Sequence, residues 1–363
     1  MKSTIYRIIV LALGLAVGLL LAELITRTAL PRPGFYSFPG AEKSALRHHP
    51  TRGFAYRPNL SRRVVASDYT LDFVTDSLGF RVPVEQSAED SATHRLLAVG
   101  NSFTQGHGVQ AIEAWPRVAG RLVDRLGVIN AGVSGYSVRQ ACVTAREVIP
   151  DMDVDLLALG VYTGGLDRLH DPYVLTEGEE GLVSRSRLDE IVVEENGFIY
   201  PEVATPELEP IDLWLKQHWY FGAYLARVAG EIWRQIQLLG APSREPPSDA
   251  EIRQELEPLF DALLRCRAIA REGDVPLIVL LINRQRPDGA FADEEWRYNQ
   301  AVRRFAERHD LRLVDPLPEL SRSAGAEPVY RLGEDPHWSA AAHRVAGRLM
   351  ADTIRSLLSR PGS

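Results

Sequence analysis

The amino-acid sequence predicts an α/β fold built on a parallel sheet. Three observations carry that expectation. Between residues 96 and 358, short apolar runs alternate with helix-length segments. The runs are almost free of polar residues, as strands covered by helices on both faces are. The spacing of strand, helix, strand, helix, strand is that of crossover connections, which parallel pairing requires.

Taken in order, Leu96-Leu97-Ala98-Val99 is the first strand, and it breaks into a Gly100-Asn101-Ser102 corner and a glycine-rich loop to Val109. A helix opens at Glu113-Ala114-Trp115-Pro116 and runs to about Leu126. Val128 to Ala131 is the second strand. Ser137 caps a helix to about Val148, with Arg139 and Arg146 sharing its wet face. Val154 to Val161 is the third strand. Residues 168–250 interrupt the pattern. Within them Glu179-Glu180-Gly181 and Glu194-Glu195-Asn196-Gly197 read as turns of a small β excursion. Ile211 to Leu239 reads as one aromatic-rich helix, either packing on the domain or serving as an acyl-binding or membrane-facing lid. A helix from Asp249 to Gly273 leads to the fourth strand, Val275 to Ile282. The helix Glu294 to His309 leads to the fifth, Leu311 to Val314, and Ser339 caps a closing helix to about Leu358.

The domain plan has three parts. Residues 1–30 hold an apolar run, Ile8 to Ala22, preceded by Lys2 and Arg7. No small-x-small cleavage site follows, so the reading is an uncleaved signal anchor rather than a cleaved signal peptide. Extending the run over residues 5–26 gives about the 20 residues a spanning helix needs. The charge bias places the rest of the chain outside the cytoplasm, on the periplasmic side. Gly14 and Gly18 are read as filler in this helix rather than as a packing pair. Residues 31–92 are a linker: Pro31 to Pro58 is an extended spacer, its His48-His49 pair a solvated loop, and Val64 to Arg81 alternates as a strand or hairpin lying against the main domain. Residues 93–363 form that domain.

Composition sets outer limits. The chain of 363 residues is 45% hydrophobic and 25% charged, as globular proteins are. A net charge of −7 argues against nucleic acid as a partner. Cys142 and Cys266 read as buried, unpaired core cysteines, with neither a disulfide framework nor a metal cluster indicated. No metal and no cofactor is expected.

The chemistry-bearing residues lie at loop positions. Ser102, at the carboxyl end of a buried strand, sits where open α/β sheets place ligand chemistry. A serine nucleophile needs a base and an oxyanion site. Asp335-Pro336-His337-Trp338 can supply base and orienter, and Gly135 a backbone N–H. Each alone reads more readily as a structural residue: Ser102 as a helix cap, His337 as a core histidine.

In that order, the blocks resemble the SGNH (GDSL-type) serine hydrolases. Val99-Gly100-Asn101-Ser102-Phe103-Thr104 is similar to the family's first block, with Asn101 where Asp is usual. Asn130-Ala131-Gly132-Val133-Ser134-Gly135-Tyr136-Ser137 is similar to the second, and Asp335-Pro336-His337-Trp338 to the last. Thr75-Asp76-Ser77-Leu78-Gly79-Phe80-Arg81 resembles a segment of the membrane-anchored bacterial branch. The resemblance implies a flavodoxin-like, three-layer α/β/α sandwich around a five-stranded parallel sheet, preceded by a transmembrane helix. It implies Ser102 as nucleophile, His337 as base, Asp335 rather than Glu334 as orienter, and the N–H groups of Ser102 and Gly135 in the oxyanion hole. The third block departs. In Val161-Tyr162-Thr163-Gly164-Gly165-Leu166-Asp167 the family's Asn donor falls on Gly165, which has no side chain. Thr163 is the candidate surrogate, since a hydroxyl donates where the ionised Asp167 only accepts; the Gly165 N–H is another. Three functions remain open: hydrolysis of an acylated carbohydrate or lipid ester outside the cytoplasm, acyl transfer onto an envelope polysaccharide, or a catalytically degenerate binding domain.

Overall fold

The computed structural model describes residues 2–29, 45–65, 69–85, 92–164, 175–178, 181–184, 191–193, 199–201, 218–238, 247–282, 293–323, 329–330 and 337–359. The chain divides into two units. One comprises residues 1–37, 66–68 and 204–245; the other comprises residues 38–65, 69–203 and 246–363.

The first unit contains two described helices. α1 spans Lys2–Ala29, and within it Ile9–Ala29 is long and apolar enough to cross a membrane. No atoms stand within 4 Å of a Cβ built on Gly14 or Gly18, so neither packs against a neighbour here.

The second unit begins with two small antiparallel elements. β1 (Leu46–His49) pairs with β2 (Gly53–Tyr56), and β3 (Ser61–Val65), β4 (Thr70–Thr75) and β5 (Arg81–Val82) form a three-stranded sheet. The stretch expected as an extended spacer therefore carries a hairpin. Its Ala45 and Tyr56 are buried in one cluster with Leu71, Phe73, Val133 and Tyr136. Burying those apolar groups offsets the entropy of ordering a Pro- and Gly-rich stretch.

The main sheet is formed by β6 (His94–Val99), β7 (Leu126–Asn130), β8 (Leu156–Tyr162), β13 (Leu277–Ile282) and β14 (Arg312–Val314). All its pairings are parallel, and the spatial order is β14-β13-β8-β6-β7. Between them run α2 (Ser102–Gln105), α3 (Trp115–Leu122) and α4 (Val138–Val148). After β8 the chain forms two hairpins: β9 (Leu175–Gly178) with β10 (Gly181–Ser184), and β11 (Ile191–Val193) with β12 (Ile199–Pro201). These are the expected β excursion. The aromatic helix follows as α5 (Tyr220–Leu238), in the first unit; the start expected at Ile211 lies outside the described residues. α6 (Asp249–Glu272), α7 (Asp293–Arg308), α8 (Leu317–Ser323) and α9 (Ala340–Leu358) follow among the described residues.

Strand alternation sorts the core into two layers. Leu97, Val99, Leu157 and Leu159 face Ala141 of α4, Leu263 of α6 and Val302 of α7. Leu96, Ala98 and Leu156 face the opposite way, with Trp115 of α3 and Val345 and Met350 of α9. The result is a three-layer α/β/α sandwich with five parallel strands, as expected. Ser137 and Ser339 cap α4 and α9 through their side chains, accepting from Gln140 N and Ala342 N.

The reading of Cys142 and Cys266 as unpaired is corrected: they form a disulfide. Cys142 lies on α4 and Cys266 on α6, helices that share one core layer. Their Cα atoms are 5.1 Å apart, within bridging range. A separation of 124 residues hid the pair from any reading of local spacing. A disulfide closing so long a loop is expected to contribute about 2–5 kcal/mol. Thermal melts with and without reductant check this. The oxidised protein should melt higher, and Cys142→Ser should melt like the reduced form. Two titratable thiols in unreduced, purified, denatured protein would overturn the pairing.

Candidate active site

The site is built at the carboxyl end of β6. In the sheet, β6 has β7 on one side and β8 on the other, so the chain leaves it at the point where strand order reverses, and a crevice opens there in α/β sheets. Ser102 is the first residue of α2, the single turn that follows. Asn101 is its N-cap: Oδ1 accepts from the N–H of Phe103 at 3.1 Å. An amide oxygen fills that role as a carboxylate does, so Asn suits the position where the family carries Asp.

In this four-residue helix Ser102 O accepts from Gly106 N at 2.9 Å, and the carbonyls of Thr104 and Gln105 are left to partners outside the turn. Gly106 closes α2 in the left-handed region, φ 87°, which glycine adopts without strain. Asn130, the last residue of β7, donates from Nδ2 to Thr104 O at 3.1 Å and accepts from Gly132 N at Oδ1. Arg81 of β5 is fully buried. Its guanidinium donates to the carbonyls of Gln105 (2.9 Å), Gly106 and Val109 (2.6 Å). A cation also suits the negative end of this short turn. The sequence reading quoted Arg81 within a motif and gave it no role. Its signal was only the motif's position, because what it binds lies 24 to 28 residues further on.

The second predicted block is joined to the first. Val133 N donates to Gly100 O at 3.0 Å, and Ser134 Oγ donates to Gln105 Oε1 at 3.3 Å. Tyr56 Oη accepts from Ser134 N at 3.2 Å. Gly135 then takes φ 86°, exposed, in a conformation that again favours glycine.

His337 immediately precedes Trp338, which bridges to Tyr330, and lies two residues before Ser339, the cap of α9. Its Nε2 is 2.7 Å from Ser102 Oγ, across 235 residues of chain. Two rings flank the imidazole, Phe103 at 4.8 Å and His107 at 4.4 Å between centroids. His107 is buried, and Tyr69 Oη lies 3.3 Å from its Nε2. Neither ring carried a role in the sequence reading, although both fall in the nucleophile stretch.

Of the other predicted residues, Thr163 sits just past β8, buried, and donates to Asn299 Oδ1 at 3.2 Å. Asn299, on α7, is a further polar residue the sequence reading missed. Asp335, Glu334, Gly165 and Asp167 lie outside the described residues. Behind the site, His343 of α9 accepts from Trp115 N at 3.3 Å. Burial, with Arg81 and His337 as further charges, pushes its pKa down to about 3.

The chain is similar in structure to several GDSL-type proteins. A lipolytic protein of the G-D-S-L family from Veillonella parvula is 10% identical, with a TM-score of 0.40 over 72% of this chain and 99% of that one. A psychrotrophic esterase from Pseudoalteromonas is 11% identical, with a TM-score of 0.40 over 74% of this chain and 100% of that one. A lipase/acylhydrolase from Enterococcus faecalis is 12% identical, with a TM-score of 0.39 over 75% and 100%. No protein-family model and no curated protein matches the chain. Similarity this remote bears on fold alone, so the chemistry rests on the residues themselves.

Two expectations follow. Arg81→Met removes a donor from three buried carbonyls; Gln105 O keeps Asn130 Nδ2 and Gly106 O keeps Val109 N, so the cost of about 1–3 kcal/mol for an unsatisfied group falls chiefly on Val109 O. The substitution should lower Tm sharply and speed hydrogen exchange over residues 102–109. Arg81→Lys keeps the charge without the fork and should speed exchange there with a smaller loss of Tm. Unchanged exchange in Arg81→Met would remove the loop-holding role.

His343 gives a pH dependence with a definite sign. Its folded-state pKa lies below the unfolded value near 6.5, so the unfolded chain takes up the proton first. The stability from neutral His343 is complete above about pH 6.5 and is lost progressively as pH falls toward 3. Urea melts between pH 7 and 4 should show a falling midpoint, with a shallower slope in His343→Gln. An equal slope in the variant would assign the acid sensitivity elsewhere.

Proposed function

We propose that the chain is a membrane-anchored ester hydrolase acting by a Ser-His-Asp mechanism on an acylated carbohydrate or lipid outside the cytoplasm. The observation that carries this reading is the 2.7 Å approach of His337 Nε2 to Ser102 Oγ at the carboxyl end of β6. A neutral imidazole with its proton on Nδ1 accepts at Nε2, as a general base must. Asp335, two residues before His337, is the acceptor assigned to the Nδ1 proton.

In the proposed step, Ser102 Oγ forms a bond to the ester carbonyl carbon while its proton passes to His337 Nε2. The carbonyl electrons move to oxygen, where the N–H groups of Ser102 and Gly135 stabilise the charge. Collapse expels the alcohol, which takes the proton from the imidazolium and leaves an acyl-serine. Water then attacks, giving its proton to His337, and the carboxylic acid departs as Ser102 regains its hydrogen.

Gly165 bears on the rate. An absent side-chain donor costs such sites about 10²–10³ in kcat. Thr163 is a weaker surrogate than its residue type suggested, because its one hydroxyl proton is directed at Asn299. The enzyme is therefore expected to be slow, and Gly165 is also the feature that favours the degenerate binding-domain reading.

Two observations support an extracytoplasmic position: the basic residues Lys2 and Arg7 before the apolar run, and the Cys142–Cys266 disulfide, a bond that persists in oxidising compartments.

The test is hydrolysis of an aryl acetate by the full-length protein, with labelling by a serine-reactive fluorophosphonate. Ser102→Ala should lose labelling and lower kcat by orders of magnitude, with Tm unchanged. Asp335→Asn should cost more kcat than Glu334→Gln; the reverse order transfers the orienter role to Glu334. Wild-type protein that neither labels nor turns over would leave the binding-domain reading. Product formed mainly on a sugar acceptor in competition with water would make it a transferase.

A further inference from the structure

Among the described residues, α1 and α5 meet at the first turn of α5. Glu23 of α1 accepts from the N–H groups of Tyr220 (3.1 Å) and Phe221 (2.8 Å). It thereby caps a helix nearly two hundred residues away in sequence, using a carboxylate at the positive end of that helix. Arg27, one turn further along α1, bonds Glu23 at 2.6 Å and donates to His218 O at 2.8 Å. Its guanidinium also lies 4.2 Å from the centre of the Tyr220 ring. Thr26 and Ala223, beside these contacts in sequence, are both buried.

Beyond that junction α5 exposes an apolar face. Leu225, Val228, Ile232 and Trp233 are 49%, 54%, 55% and 63% exposed. At 3.6 residues per turn they fall on one side of the helix, and positions 227 and 234, both Arg in sequence, fall about half a turn round. A contiguous apolar face ending in an exposed Trp marks a binding surface. What occupies it is indicated by what it adjoins. α1 exposes Leu20, Leu21, Leu24 and Ile25 over the same turns from which Glu23 reaches α5. The exposed apolar residues of α5 begin two residues beyond buried Ala223, so they and those of α1 flank the junction.

We propose that α5 is an interfacial helix that lies in the headgroup region of the bilayer from which α1 emerges. Leu225, Val228, Ile232 and Trp233 face the acyl chains. This rests on the reading of α1 as a membrane anchor. A helix with Leu, Val, Ile and Trp on one exposed face has the composition that binds membrane surfaces. Trp suits the boundary because its ring is apolar and its N–H polar. The Glu23 cap sets the depth: it ties the start of α5 to a charged position near the end of the apolar helix, where charges are tolerated. Tethering also makes lipid binding by α5 intramolecular, so a single amphipathic helix suffices.

The experiment uses full-length protein reconstituted in vesicles with anionic lipid. Both native cysteines are in the disulfide, so Ile232→Cys and Arg234→Cys each add one reactive thiol for an environment-sensitive fluorophore. Leu20→Cys reports on α1. The expected result is blue-shifted emission at position 232, quenched by a shallow spin-labelled lipid and shielded from iodide, with position 234 open to iodide. Position 20 should be quenched by a deep spin label. Iodide access at 232 with deep quenching at 20 would overturn the interfacial helix and leave the anchor standing. Shielding at 232 without lipid quenching would mean that protein covers the face, and would equally overturn it. Loss of quenching at both 20 and 232 would remove the anchor and this proposal together.

Discussion

The site depends on a helix too short to hold itself. α2 has four residues: Ser102 O accepts from the N–H of Gly106 just past its end, and the carbonyls of Thr104 and Gln105 are met by side chains from outside the turn. Its shape is imposed from outside. Asn101 takes up an N–H at one end, while Asn130 and Arg81 take up carbonyls at the other. The three anchors come from the end of β6, from β7 and from β5. The position of Ser102 is therefore a property of two sheets, and the small antiparallel sheet upstream is as much a part of the site as the main one. Burying a guanidinium is costly unless its hydrogen bonds are made, and the loop carbonyls accept three of them, from Nη1 and Nη2. In return the loop from Gln105 to Val109 has little freedom to move, and His107 is held where its ring meets His337.

The same logic separates what the sequence disclosed from what it did not. The five strands were legible because burial on both faces demands uninterrupted apolar runs, and Leu96–Val99 and Leu277–Ile282 have them. The caps at Ser137 and Ser339 were legible because capping is a local event. Ser102 and His337 were legible through motif order, which stands in for a distance that no spacing could give. The hairpin at 46–56 was not legible, since what orders it is contact with Tyr136 and Val133, some eighty residues on. Arg81, Asn299 and the Cys142–Cys266 pair escaped for one reason. Each acquires its meaning from a partner brought close by the fold, and its residue type announces nothing beforehand.

The imidazole of His337 shows how far such positioning reaches. Trp338 beside it is fully buried and meets Phe103 edge-on at 5.5 Å, while Phe103 in turn lies 4.9 Å from Tyr162 at the end of β8. Aromatic rings in contact limit each other's tilt. The chain entering α9 is thus packed against the residue that follows the nucleophile. The 2.7 Å approach of Nε2 to Oγ is consequently tied to the core.

The two departures from the family pattern then fall on different free energies. Asn at position 101 retains the accepting oxygen that organises α2 and gives up only a charge, worth about 0.3–1 kcal/mol near a helix N-terminus and less for a single turn. That is a change in local folding, and the geometry absorbs it. Under the proposed mechanism, Gly at position 165 would leave the site without a side-chain donor where negative charge develops, a loss of about 2.7–4 kcal/mol felt in the transition state and hardly at all in the ground state. Architecture and transition-state stabilisation are thereby uncoupled: the scaffold that aims Ser102 at His337 is complete without the donor. Under the proposed mechanism, then, the contact between Ser102 and His337 speaks to the type of chemistry and residue 165 to its speed.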